Sequence, residues 1–260
     1  RRVALNNLNR AFDREMRPAE IEGIARRVFK NIILVLLETG WCLHLRPEEF
    51  DTYFRIKNRL SGSGDDQKGK GVLILTGHVG NWEMMPIISA MTGHTAHVLY
   101  RPLDYEPLER FFAQNRTRFG AKLITKDRAL LRVFKALKRQ ESVVMLLDQN
   151  VGWHKGVFVD FFGRRACTSY GLAFIALKTN APVVPVFVVR NADGAGFTAE
   201  IGPEIPLSKT GDHQKDLEEN TQRYNDAIEA VIRRHPDQWF WVHRRWKTRP
   251  YSTWPRTDHA

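Results

Sequence analysis

Apolar and polar positions alternate along the chain with the periods of helices and strands in turn. From Pro18 to about Leu45, apolar residues recur every three or four positions opposite charged ones, which predicts one long amphipathic helix. Such a helix packs on the rest of the protein or lies on a bilayer with Trp41 and Leu43 inserted. Residues 61–70 (SGSGDDQKGK) are polar and rich in glycine, and they predict a loop after this helical start.

Beyond residue 70, short apolar runs bounded by turn residues alternate with helical patterns. The predicted strands are 72–76, 96–100, 122–124, 142–147 and 183–190, and the predicted helices end near 91 or span 107–119, 128–138, 168–179 and 216–234. This alternation is typical of an α/β sheet with parallel strands. The Asp-Gly turn in residues 192–196 predicts a hairpin between 183–190 and 197–201.

We therefore expect an α/β fold with a central mixed, mostly parallel sheet flanked by helices. An N-terminal amphipathic helical segment (residues 1–60) precedes the α/β domain (residues 71–260), and we expect the two to form one continuous domain.

The chain of 260 residues carries 40 Lys and Arg against 29 Asp and Glu, a formal net charge of +11 at pH 7. This excess favours a negatively charged partner, namely nucleic acid, an anionic membrane surface or a phosphorylated substrate. With two cysteines, Cys42 and Cys167, the chain has neither a disulfide framework nor a thiolate metal cage. The longest apolar run, 32–37, is shorter than the about 20 residues of a membrane-spanning helix. The chain begins with Arg1 rather than Met, so we expect a trimmed start.

The most informative stretch, Gly-His-Val-Gly-Asn-Trp-Glu at 77–83, follows the predicted strand 72–76. Ligands of α/β sheets gather beyond the carboxyl ends of the strands, so we expect His78 to point into that crevice. Asn81 is a common helix-capping residue, which puts Glu83 in the first helical turn. If the loop folds back, the Glu83 carboxylate reaches one imidazole nitrogen while the other acts as a general base. Ordinary helix capping also produces a His and a Glu at this spacing.

Charged residues follow the other predicted strands and helices. Arg101 comes directly after a strand, and Arg116 and Arg118 lie at the end of the next helix. All three can face the crevice of His78 and bind phosphate there, or they are solvated charges. Asp148 follows the apolar run 142–147 and either anchors these arginines or a sugar hydroxyl, or caps the next turn.

Two further segments have more than one interpretation. Trp239, Trp241 and Trp246 alternate with basic residues near the C-terminus, which is typical of nucleic-acid stacking, a bilayer surface or a packed terminal segment. No RNA-binding or helix-turn-helix signature accompanies them, so we expect no nucleic acid. The apolar residues 156–163 (GVFVDFFG) either line an apolar pocket or fill the core.

Three common motifs are excluded. Residues 64–70 read G-x-x-x-x-G-K, but Gly71 replaces the Ser or Thr of a phosphate-binding loop, and a strand rather than a helix follows. No H-E-x-x-H motif is present, and we expect no metal site. A serine hydrolase of the usual α/β type is also disfavoured because there is no G-x-S-x-G elbow.

Seven blocks, in order and over nearly the whole chain, are similar to one known family. They are GHVGNWE (77–83), LYRPL (99–103), RTRFGAKLI (116–124), LLDQN (146–150), GVFVDFFG (156–163), APVVPVFVVR (181–190) and QWFWVHRRWKTRP (238–250). The chain thereby resembles the late acyltransferases of lipid A biosynthesis, which add lauroyl or myristoyl chains and belong to the wider lysophospholipid/glycerolipid acyltransferase group. The family's HX4(D/E) motif falls on His78 and Glu83, which the resemblance implies are the catalytic dyad.

The resemblance implies a membrane-associated O-acyltransferase that uses no cofactor besides its acyl donor. His78, steered by Glu83, would take the proton of a hydroxyl or hydroxyacyl group on a phosphorylated glycolipid such as a lipid A precursor. That oxygen would attack the thioester of acyl carrier protein or coenzyme A, with no covalent enzyme intermediate. Backbone N–H groups near Gly80 and Asn81, or by resemblance Arg116, would bind the oxyanion. Arg101, Arg116, Arg118, Asp148 and Asn81 are the expected substrate-binding residues.

The implied partners are acidic acyl carrier protein, an anionic membrane surface and the phosphorylated glycolipid acceptor. The implied location is the cytoplasmic face of the bacterial inner membrane, with the family's N-terminal membrane helix missing here. Two alternatives remain at this point. One is a non-enzymatic binder of anionic lipid or nucleic acid, and the other is a lipid or thioester hydrolase that uses the same dyad on water.

Overall fold

The fold is seen in a computed structural model that describes residues 1–58, 71–125 and 129–250. The predicted loop at 61–70 lies outside the described residues, as does the excluded G-x-x-x-x-G-K segment.

The helices and strands follow one another in the order that the hydrophobic pattern predicts, with five additional elements. The helices are α1 (Arg2–Phe12), α2 (Pro18–Cys42), α3 (Phe50–Tyr53), α4 (Met85–Met91), α5 (Glu106–Arg118), α6 (Ala129–Lys138), α7 (Gly171–Thr179) and α8 (His213–Arg234). The strands are β1 (Phe54–Lys57), β2 (Val72–Thr76), β3 (Ala96–Tyr100), β4 (Lys122–Thr125), β5 (Ser142–Leu146), β6 (Gly156–Phe161), β7 (Arg164–Ser169), β8 (Val183–Arg190) and β9 (Phe197–Ile201). Short 3₁₀ turns occupy Pro47–Glu49, Trp82–Met84 and Trp153–Lys155.

The main sheet has seven strands in the order β1-β9-β8-β2-β5-β3-β4. Neighbouring strands are parallel except β8 and β9, which form the predicted antiparallel hairpin. The predicted α/β fold with a mixed, mostly parallel sheet is therefore confirmed. β2 and β5 are neighbours in parallel register, with Thr76 opposite Leu146. Because their carboxyl ends coincide, the loops that follow these two strands meet at one edge of the sheet.

Strands β6 and β7 form a separate two-stranded antiparallel sheet where the sequence predicted no strand. Their two-residue connection is Phe162-Gly163, and both residues have positive φ, 53° and 66°, as in the type I′ turn of tight hairpins. Phenylalanine is unusual at such a position, which explains why the turn was missed. Phe161 and Phe162 are buried in the core, so this end of the segment 156–163 fills the core, whereas Gly156 and Val157 line a cavity of about 400 Å³.

Helices α1 and α2 pack on the main core through one face each. Leu8 and Phe12 of α1 belong to the same apolar cluster as Ile24 and Val28 of α2. A second face of α2 is exposed and includes the apolar residues Ile33, Leu36 and Leu37. Within the part of the chain that is described, no helix is long and apolar enough to cross a membrane.

The C-terminal tryptophans are interior residues rather than a surface for lipid or nucleic acid. Trp239, Trp241 and Trp246 are at most 8% exposed. The Trp239 and Trp241 ring centroids lie 4.5 Å apart in an edge-to-face arrangement, and Phe161 contacts Trp239 at 5.5 Å. Of the alternatives for this segment, the packed terminal segment is correct.

Candidate active site

His78 lies immediately beyond β2 and is held by Asp148, which lies just beyond β5. The Nδ1 atom of His78 is 2.8 Å from Asp148 Oδ1, and the His78 main-chain N–H donates to Asp148 Oδ2 at 2.9 Å. The His78 side chain is 20% exposed whereas that of Asp148 is 2% exposed. The parallel register of β2 and β5 thus joins two residues that are 70 positions apart.

Hydrogen-bond donors keep the Asp148 carboxylate ionised despite its burial. The indole N–H of Trp239 donates to Asp148 Oδ2 at 2.8 Å, beside the two contacts from His78. Burial alone would raise the pKa of Asp148, but the His78 imidazole and these hydrogen bonds outweigh it and hold the pKa well below its usual range. An ionised carboxylate can only accept, so Nδ1 of His78 carries a proton. Nε2 of the neutral ring then carries a lone pair.

Glu83 does not contact the imidazole, contrary to the geometry expected from the sequence. Its carboxylate forms a bidentate ion pair with Arg116, with both N–O distances 2.7 Å, and accepts a hydrogen bond from the Trp82 indole at 3.1 Å. The cause is local, because the Asn81 side chain accepts the Glu83 N–H at 3.2 Å and starts the 3₁₀ turn there. This turn directs Glu83 toward α5. Burial would lower the pKa of Arg116, but the bonds to Glu83 raise it.

The Asn81 side chain is buried and fixes the His78 loop to α2. Its side chain is fully buried, and its amide donates to Glu38 of α2 at 2.9 Å. Glu38 in turn forms an ion pair with Arg190 at the end of β8, and Arg190 also binds Asn31. The sequence-based expectation that Asn81 contacts substrate conflicts with this burial. Glu38 and Arg190 were missed because a pair 152 positions apart leaves no local signal.

The C-terminal segment pairs with the His78 loop along its main chain. The Phe240 N–H donates to the His78 carbonyl at 3.0 Å, and the Gly80 N–H donates to the Gln238 carbonyl at 2.9 Å. The rings of Trp82 and Phe240 flank the imidazole, with centroid distances of 4.8 and 6.0 Å. The His78 imidazole therefore packs between two aromatic rings. The side-chain amide nitrogen of Gln149 lies 3.4 Å from His78 Nε2.

Neither of the other two predicted arginines forms a hydrogen bond or ion pair with His78 or Asp148 among the described residues. Arg101 is exposed and pairs with the neighbouring Asp104 at 2.9 Å. Arg118 donates to the Leu45 carbonyl at 3.2 Å and lines a cavity of about 450 Å³ with residues that include Phe50 and Met91. This cavity lies where α4 and α5 end, before the chain re-enters the sheet, so Arg118 does not face the crevice as expected. The helix that carries it runs away from the carboxyl ends of the strands.

Gly80 is required by the path of the loop. Its φ is +63°, and a Cβ atom there would lie 2.0 Å from the Val188 carbonyl oxygen of β8. We expect Gly80→Ala to lower the free energy of unfolding by more than the about 1–2 kcal/mol that a left-handed conformation costs, because the backbone of β8 must also move.

Gly163→Ala is the matched control, since Gly163 has φ +66° and nothing within 4 Å of its would-be Cβ. Urea unfolding of both variants measures the difference. Equal losses in the two variants would contradict the close approach to β8.

Several known proteins are similar to this chain over most of its length. The family model for bacterial lipid A biosynthesis acyltransferases matches residues 1–248. The chain is 27% identical to a lipid A biosynthesis acyltransferase of Haemophilus influenzae, over 97% of this chain and 79% of that protein. It is 26% identical to the lipid A biosynthesis palmitoleoyltransferase of Escherichia coli, over 95% and 79%. It is 27% identical to the lipid A biosynthesis lauroyltransferase of the same organism, over 96% and 79%.

Proposed function

Since the chain belongs to the bacterial lipid A biosynthesis acyltransferase family and is an acyltransferase, we propose that it moves a fatty acyl chain from an acyl-thioester carrier to a hydroxyl or hydroxyacyl group of a phosphorylated glycolipid such as a lipid A precursor. One observation carries the proposal. The imidazole of His78 is partly exposed and is held through Nδ1 by an ionised carboxylate, which leaves the lone pair of Nε2 as a base.

The reaction follows from that arrangement. The acceptor oxygen attacks the thioester carbonyl carbon as its proton passes to Nε2 of His78, and the Asp148 charge stabilises the imidazolium that forms. When the carbonyl re-forms, the carbon–sulfur bond breaks and the imidazolium returns its proton to the leaving thiolate. The acyl group goes directly from sulfur to oxygen, so no covalent acyl-enzyme is required.

The ion pair of Glu83 and Arg116 has a second role in this proposal. Glu83 occupies Nε and Nη2 of Arg116, and Nη1 is buried with no hydrogen-bond partner among the described residues. Tyr100 and Phe112 lie against the guanidinium at 5.1 and 5.5 Å. We propose that Glu83 orients Arg116 and that Nη1 polarises the thioester carbonyl, because preorganised donors bind a developing oxyanion strongly. Glu83 is then a positioning residue rather than the partner of the base.

The first prediction concerns the carboxylate that holds the base. We expect Asp148→Asn to lower kcat by about 10³–10⁴-fold, because the neutral amide cannot stabilise the imidazolium and admits the wrong tautomer. The assay supplies acyl-carrier or acyl-coenzyme A donors and a lipid A precursor, and the acylated product is read by mass.

A matched control is available in a second carboxylate–histidine pair. Glu200 Oε1 is 3.1 Å from His235 Nε2, on β9 and directly after α8, so Glu200→Gln breaks a similar pair outside the proposed site and should keep the native kcat. A native kcat in Asp148→Asn would exclude this carboxylate from the mechanism. Free fatty acid produced without any acceptor would favour the hydrolase, and an unchanged function in His78→Ala would favour the non-enzymatic binder.

An exposed apolar surface supports association with a membrane. α2 and α5 lie side by side and run in the same direction, since a Cβ atom at Gly40 would lie 3.9 Å from the Phe111 ring and Arg118 donates to the Leu45 carbonyl. Toward the N-terminal side of both contacts, large apolar side chains are exposed. We call them the apolar rim: Ile33, Leu36, Leu37, Leu103, Tyr105 and Leu108.

The helix that carries half of the apolar rim also contacts the His78 loop, because Glu38, one position after Leu37, binds Asn81. Exposed basic residues, Lys30 and Arg101, neighbour the rim in sequence. We propose that a bilayer of anionic lipid covers this surface, as peripheral binding at the cytoplasmic face of the inner membrane requires. The glycolipid acceptor would then reach His78 from the lipid surface. The net charge of +11 also suits an acidic acyl carrier protein as donor partner.

The second prediction tests the apolar rim. We expect Ile33→Ser/Leu36→Ser/Leu37→Ser to weaken binding to phosphatidylcholine–phosphatidylglycerol vesicles by at least about tenfold, because burying each of these side chains is worth about 1 kcal/mol or more. Sedimentation of the protein with vesicles measures the binding.

The control for vesicle binding is Leu130→Ser/Leu131→Ser, which removes two exposed leucines of α6 and should leave it unchanged. Equal losses in the two variants, or none in either, would contradict the assignment of the rim to the bilayer.

A further inference from the structure

The segment that follows α8 forms hydrogen bonds with both loops of the candidate active site, the His78 loop and the loop that begins with Asp148. Its main chain pairs with the His78 loop through Phe240 and Gln238. On the other side, the Asn150 N–H donates to His243 Nε2 at 2.8 Å, and Asn150 exchanges two hydrogen bonds with Thr248 at 3.0 Å each. The loop that begins with Asp148 is therefore fixed by the C-terminal segment, not only by β5.

Trp239 is the one residue of this segment whose side chain binds the Asp148 carboxylate among the contacts described. Oδ1 of that carboxylate faces Nδ1 of His78, while Oδ2 accepts from the His78 main chain and from the Trp239 indole. The two carboxylate oxygens thus have different hydrogen-bond partners. Without the Trp239 donor, Oδ2 keeps only its hydrogen bond from the His78 main chain. The Asp148 carboxylate can then rotate, so that Oδ1 no longer points at Nδ1.

The indole is itself immobilised. Trp239 is 1% exposed, and its ring packs edge-to-face on Trp241 at 4.5 Å and on Phe161 at 5.5 Å. A donor on a locked ring holds its acceptor with little loss of conformational entropy. The packing of the ring on Phe161 and Trp241 and the hydrogen bond of its N–H to Asp148 are separate contacts.

We propose that Trp239 is a positioning residue for the reaction, whose indole N–H orients the Asp148 carboxylate so that Oδ1 holds Nδ1 of His78. The proposal rests on the proposed function for its effect on turnover. Its effect on the His78–Asp148 pair does not depend on which reaction the pair serves, so the two can be tested apart.

The experiment replaces the donor and keeps an aromatic ring. In Trp239→Phe, the carboxylate loses one hydrogen bond to its charged form, so the His78–Asp148 pair binds a proton more tightly. We expect the acid limb of the kcat/KM profile to move to higher pH, and kcat to fall by about tenfold to a hundredfold with little change in KM. Residues that only support the fold would not move the pH profile.

A second readout is independent of acyl transfer. Diethyl pyrocarbonate modifies the unprotonated imidazole, and the rate at His78, followed by peptide mass, gives the pH midpoint of its protonation. This midpoint should rise in Trp239→Phe. A raised midpoint in a protein without detectable acyl transfer would leave the role of Trp239 intact and contradict the proposed function instead.

Trp246→Phe is the matched control. The Trp246 indole is also buried, and its N–H has no hydrogen-bond partner among the described residues, so this variant loses the same ring atoms but keeps the donor to Asp148 and the packing of Trp239 on Trp241. We expect its pH midpoint and profile to equal those of the native chain. Identical midpoints in Trp239→Phe and Trp246→Phe would overturn the proposal.

If Trp239→Phe does not fold, the same bond is read in a folded protein. Trp82→Phe removes the other indole next to His78, and ¹⁵N-labelled tryptophan then reports the remaining indoles. One indole resonance should titrate at the midpoint of His78, because Trp239 and His78 share one carboxylate. The absence of any such resonance would overturn the proposal equally.

Discussion

The buried carboxylate of Asp148 is the point on which the candidate active site depends. It is 2% exposed and accepts hydrogen bonds from two elements, the loop after β2 and the C-terminal segment. A buried ionised group is tolerated only when it is well hydrogen-bonded, because its desolvation is otherwise costly. The chain therefore has to bring these two elements together, and the arrangement that keeps Asp148 ionised is the one that orients His78.

Other contacts in the fold help to hold His78 next to Asp148. The parallel register of β2 and β5 brings His78 and Asp148 to one edge of the sheet. The Glu38–Arg190 ion pair and Asn81 then fix the His78 loop between α2 and β8. α2 thus has two tasks, since its polar inner residues hold the loop while Leu36 and Leu37 remain exposed. In the proposed function, α2 therefore connects the His78 loop with the apolar rim.

Local patterns in the sequence predicted the strands of the sheet well. They did not predict side-chain contacts between residues that are distant in the chain. The bounds of β2, β3 and β8 follow directly from apolar runs between turn residues, and Gly77–His78 was expected beyond β2. The proximity of Glu83 suggested the wrong neighbour for the imidazole, because nearness in sequence favours it over a residue 70 positions away. The turn at Phe162-Gly163 and the burial of Trp239 likewise depend on packing that no short window contains. The catalytic roles themselves stay proposals.

The central claim is that Asp148 holds Nδ1 of His78 and leaves Nε2 free to accept a proton. Long-range ¹H–¹⁵N correlation on protein labelled at histidine reads the tautomer of His78 directly in the resting protein. The account predicts that the neutral ring carries its proton on Nδ1 and that Nε2 has the shift of an unprotonated nitrogen. A neutral ring protonated on Nε2 would contradict it.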